Sequence, residues 1–138
     1  MSQSKFTALL KKLDWQAMQI EQRIEALRAE KEQVTKTLEA INQGITDACV
    51  PAKQILPEQE MARLGFLNQQ MQLSDQEQQK MKTIDQAIEK QQEQLTAIKT
   101  QQKTIEKFMT RQTLKAVAEF DNAQEKQLED LLLARRNA

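Results

Sequence analysis

One run of residues constrains this chain more than any other. Phe6, Leu10, Leu13, Ala17, Ile20, Ile24, Leu27, Lys31, Val34, Leu38, Ile41, Ile45 and Ala48 follow one another in alternating steps of four and three, and only Lys31 is not apolar. Such an alternation averages 3.5 residues, the period at which a supercoiled helix brings the same face back to its partner every heptad. A single helix cannot bury this stripe against itself, so the spacing demands a second helix alongside. Composition agrees, with 29% charged residues, 4% aromatic, no Tyr, two Gly and two Pro among 138 residues. Good helix formers dominate, and the residues that punctuate loops are nearly missing. The expectation is an all-α chain, elongated, with a core one side chain wide.

Breakers place the elements within a single coiled-coil domain over residues 1–138. The first helix is expected over about 3–48, capped by Ser2 or Ser4. Gly44 fits the left-handed position that ends many helices, while Ile45 and Ala48 extend the stripe past it; we expect a frayed end over 44–49. Pro51 and Pro57 bracket the turn, about 49–56. Pro57 suits the first position of a second helix, and Glu58 and Glu60 behind it suit the positive end of the helix dipole. That helix then meets no breaker until about residue 135, a length on the order of 115 Å.

Its apolar seam reads Leu64, Leu67, Met71, Ser74, Gln78, Met81, Ile84, Ile88, Gln91, Leu95, Ile98, Gln102, Ile105 and Met109, with two steps of three falling together at 78–81–84. Two such steps are a stammer, which overwinds a coiled coil locally. Folding the helices into an antiparallel hairpin sets Lys31 opposite the Ser74–Gln78 stretch, where a polar layer can fix register. The first helix then runs out opposite about residue 103. Beyond about 106 the second helix is expected to overhang, a stretch of roughly 45 Å that still carries apolar residues.

Most chemistry is disfavoured by what is missing. There is no His, one Cys and no glycine-rich phosphate loop, which removes the commonest general base, an assisted thiol nucleophile and a phosphate cradle. No enzyme activity and no cofactor or metal is expected. Twenty basic and twenty acidic residues cancel and are interspersed, which argues against binding nucleic acid. No stretch approaches the roughly 18 apolar residues of a membrane span, so direct membrane insertion is not expected. The start, Met1 to Phe6, carries no signal-peptide core, and the lone Cys49 suits a reducing compartment; cytoplasmic is the expected location.

The candidate functional residues are large side chains off the seam. Trp15 occupies an outward heptad position, for which partner contact and packing under a folded-back terminus are both open. Phe66 and Leu73, seven apart, point away from Leu64, Leu67 and Met71. Val117, Phe120, Leu128 and Leu131 lie on the overhang, where protein recognition competes with self-association or a disordered tail.

The run Arg111-Gln112-Thr113, through Ala116 and Glu119 to Lys126 and Leu128, is similar to the flagellar members of the FliJ/YscO central-stalk family of bacterial type III secretion, and the ending Ala134-Arg135-Arg136-Asn137-Ala138 resembles its injectisome branch. The expected hairpin with its overhang resembles that family over essentially the whole length. The resemblance implies a stalk that inserts the end bearing both termini into a hexameric export ATPase, links it to a membrane export gate protein and escorts export chaperones. It would be cytoplasmic, peripheral to the apparatus at the inner membrane. Phe66 falls where flagellar members carry a gate-contacting aromatic; the apolar pattern departs one turn on, at Gln70, with Leu73 as the available substitute. Partner contacts are thus expected at Trp15, Phe66, Leu73, Arg111, Val117, Phe120, Leu128 and Leu131. The alternatives are a generic coiled-coil adaptor or prefoldin-like chaperone subunit, and a regulator reaching into an enzyme channel with an acidic tip at Asp47, Glu58 and Glu60. Flagellar and injectisome systems are not distinguished by sequence.

Overall fold

The computed structural model describes residues 2–49 and 56–137, with side chains from Ser4 onward. They form two long helices, α1 (Ser2–Ala48) and α2 (Pro57–Arg136), and no strand occurs among the described residues. Of the expected turn only Cys49 and Leu56 are described, and the side chain of Ser2 also falls outside the description.

Local chemistry accounts for the helix ends. The Glu60 amide donates to the Leu56 carbonyl at 2.9 Å and opens the ladder of α2, with Pro57 as its first residue. A missing N–H is harmless there, and Glu58 and Glu60 follow in the first turn. Arg135 and Arg136 complement the other end. α1 does not fray at Gly44. It runs on to Ala48, the Cys49 amide is shared between the carbonyls of Ile45 (3.1 Å) and Thr46 (3.2 Å), and Gly44 keeps a negative φ. Half-burying Ile45 and Ala48 on the stripe outweighs the roughly 1 kcal/mol that an interior glycine costs a helix. Threonines are tolerated inside both helices because their hydroxyls donate one turn back, as from Thr35 to the Lys31 carbonyl and from Thr104 to the Thr100 carbonyl.

The chain divides into two compact units. In the unit Met18–Leu95, α1 and α2 pack antiparallel, with Lys31 Nζ 2.8 Å from Asp85 Oδ1 and the Phe66 ring beside Gly44. Ile24, Leu27 and Ile41 are buried, and the remaining stripe positions of α1 are half-buried, Lys31 included. The stripe of α2 is the less expected one. Its covered residues include Glu60, Arg63, Leu67, Gln70, Ser74, Glu77, Met81, Ile84, Ile88, Gln91 and Leu95, in unbroken steps of three and four, with Ala87 half-buried beside Ile88. The stammer is therefore absent. Leu64 and Met71, expected on the seam, are 55% and 58% exposed, and the stripe passes one residue ahead of them and of Gln78. A stammer in α2 would set its pitch against the regular stripe of α1. Keeping the two in phase outweighs the burden of turning polar side chains inward. Lys31 is also not level with Ser74: its ammonium reaches Asp85, beyond Gln78, so the expected shared polar layer does not form.

In the unit made of Met1–Ala17 and Thr96–Ala138, the pairing is again antiparallel. Leu13 and Ala17 are buried, with Phe6 and Leu10 half-buried, against a stripe of Ile98, Gln102, Ile105, Met109 and Gln112. Gln102 Nε2 donates to Asp14 Oδ1, and Phe6 meets Phe108 edge-on, with ring centroids 5.2 Å apart at 67°. The covered stretch of α2 thus extends past the expected limit of about 106, because an aromatic pair closes the start of α1. Every described residue from 113 to 137 is exposed.

Candidate interaction surfaces

Two surfaces carry more apolar side chain than a solvated helix needs, one in each unit. The first lies on the opening turns of α2. Its stripe toward α1 is polar for long stretches, and its apolar residues flank that stripe instead. At about 100° per residue, Leu64 and Met71 fall on one flank, with Met61 beyond them, and Phe66 and Leu73 fall on the other; all five are exposed. The polar stripe is only partly satisfied. Arg63 Nη2 meets Glu60 Oε2 at 2.8 Å and Gln78 Nε2 donates to Ser74 Oγ at 3.4 Å, while Arg63 Nε is buried with no acceptor among the described residues. An orphaned donor of this kind costs about 1–3 kcal/mol. Phe66 has a second role that the sequence reading lacks: its ring edge lies 3.8 Å from where a Cβ on Gly44 would sit.

The second surface is on α2 beyond Gln112. Leu114, Val117, Phe120, Leu128, Leu131 and Leu132 are each more than half exposed, and they gather within an arc of roughly 120°. This arc is rotated by roughly 100° from the stripe that ends at Met109 and Gln112. Continuing that stripe would instead pass through Ala116, Glu119, Ala123, Lys126 and Asp130. The apolar face is therefore a separate one, aimed differently from the face that meets α1. Arg111 is exposed but lies off the arc, and Trp15 is 62% exposed with no described segment folded over it.

Of the eight candidates, Val117, Phe120, Leu128 and Leu131 share one face, Phe66 and Leu73 share another, and Trp15 and Arg111 join neither. Sequence reasoning missed Leu114, although its spacing to Val117 repeats that of Leu128 to Leu131. It also missed Met61, Leu64 and Met71 as surface residues, having assigned the last two to the core. What these faces offer is association with other helices or grooves. Among the described residues no group of three or more His, Cys, Asp and Glu is arranged to hold a metal, and no helix is long and apolar enough to cross a membrane. Comparison with protein-family models, with curated proteins and with solved structures finds no match to this chain.

Proposed function

We propose that this chain is the central stalk of a bacterial type III export apparatus, flagellar or injectisome. In this reading α1 and α2 form an antiparallel coiled-coil hairpin, and α2 beyond Gln112 overhangs it. The end bearing both termini enters the pore of the hexameric export ATPase, where the face of Leu114, Val117, Phe120, Leu128 and Leu131 meets the subunits. Phe66 and Leu73 serve the membrane export gate, and the exposed flanks of the hairpin are free to escort export chaperones. The work is mechanical and conformational, done by a protein at the cytoplasmic side of the inner membrane without chemistry of its own.

The observation that carries this reading is the separate apolar face beyond Gln112. A helix that had merely outrun its partner would continue the same stripe. A face turned away from that stripe suits an occupant approaching from another direction, as pore walls do. The neutral, interspersed charge of the chain suits a shaft that sits in a pore without gripping one wall.

The test is ATP hydrolysis by the cognate export ATPase in the presence of the full chain and of a chain ending at Gln112. That cut spares Met109 and Gln112, which pack against α1. The full chain is expected to raise the rate and the shortened chain to leave it at the basal value, with both melting at the same temperature. Equal stimulation by the two would contradict pore insertion and leave a general adaptor as the better reading.

A further inference from the structure

We propose that the face beyond Gln112 is also self-complementary, and that two copies of this chain pair through it antiparallel. The spacing carries this. Leu114, Val117, Asp121, Gln124, Leu128 and Leu131 alternate in steps of three and four, and their order of apolar, apolar, polar, polar, apolar, apolar reads the same from either end. A two-fold interface uses one patch twice, so residue i must suit residue j and residue j suit residue i. A palindromic stripe meets that requirement when the helices run in opposite directions.

The pairing is specific in its layers. Leu114 lies on Leu131 of the second copy and Val117 on its Leu128, so each outer layer is apolar against apolar. In the centre, Asp121 lies on Gln124 of the second copy, and a side-chain amide can donate to the carboxylate twice by symmetry. The parallel arrangement would set Asp121 on Asp121, two like charges in one layer, which is unfavourable. Sliding one copy by a heptad would place Leu114 on Gln124 and Val117 on Asp121. The polar centre therefore selects both direction and register, the best attested use of polar residues in such a seam. Beside the seam, Glu125 opposes Ala118 and Phe120 opposes Gln127, so no like charges meet.

Size predicts a weak, reversible pairing. With Phe120 and Leu132 at the edges, six large apolar side chains per copy contribute on the order of 100 Å² each, which brings the total to about 1,200 Å², the lower bound of a specific interface. The exposed state of these residues in a single chain and the paired state then interconvert with concentration. Because the same face is proposed to meet the ATPase, the second copy and the ATPase compete for it, although the pairing itself does not rest on that reading.

Sedimentation equilibrium of the full chain tests this. The mass is expected to rise from one chain toward two as concentration increases through the micromolar range, and to stay at one chain for Leu128→Glu with Leu131→Glu. Those positions are exposed, so helicity at low concentration should be unchanged. Direction is read separately in chains carrying Cys49→Ser, since Cys49 is an exposed free thiol. Leu114→Cys and Leu131→Cys chains should cross-link on oxidation when mixed and far less when each is alone. A mass of one chain at every concentration would overturn the proposal, and so would cross-linking of each variant alone as readily as of the mixture.

Discussion

Gly44 shows how little the identity of a residue fixes without its neighbours. It is the residue most often found just past a helix end, yet here it lies inside α1 with Phe66 leaning over it. Nothing in its backbone needs glycine, because φ is not positive, and an added methyl group would stand in ordinary contact with the Phe66 ring. Gly44→Ala should therefore stabilise the protein by about 0.5–1 kcal/mol, through helix propensity and a less flexible unfolded chain. Denaturant unfolding checks this, and a loss of stability would mean that the ring needs the space. The stripe of α1 is legible residue by residue, since hydrophobicity and position coincide at all but Lys31. Lys31 itself is legible only in part: its place on the stripe follows from spacing, but its ion pair with Asp85 depends on the register of two helices, which spacing along one of them does not set. That pair, about half exposed at both ends, contributes on the order of 0–1 kcal/mol.

Between residues 60 and 78, at the scale of the element, hydrophobicity and phase separate in α2. A reading that follows apolar residues through Leu64 and Met71 must insert a stammer to reach Ile84; the folded helix keeps its phase and sends Arg63, Gln70 and Glu77 inward. Sequence misleads here because the period of the partner stripe, and not the local composition of α2, decides which positions are covered. Local and global preferences conflict in these turns, a conflict expected near surfaces kept for function. Arg63→Leu combined with Gln70→Leu removes the orphaned Nε and adds apolar contact with α1, and should raise stability by about 1–3 kcal/mol. Unchanged or lowered stability in chemical denaturation would show that these polar side chains are better satisfied than their surroundings indicate.

For the molecule as a whole, the governing fact is that α1 has 47 residues and α2 has 80. A shorter helix cannot cover a longer one, and the sequence makes that inequality plain through its two prolines. Less legible was where the covered part ends, because the Phe6–Phe108 contact joins the first stripe residue of α1 to a residue of α2 that lies beside its stripe. The direction of the uncovered face was also missed, since apolar residues counted without their angles look like a continuation of the seam. Under the proposed function, α2 beyond Gln112 is reserved for another molecule. Amide hydrogen exchange tests it most directly, on the chain alone at a concentration too low for self-pairing and again with the export ATPase proposed as its partner added. Weak protection is expected over 113–136 in the free chain, with a clear gain there on adding the ATPase and little change at Ile24, Leu27 and Ile41. Strong protection of 113–136 in the free monomer, or no gain in the complex, would contradict it.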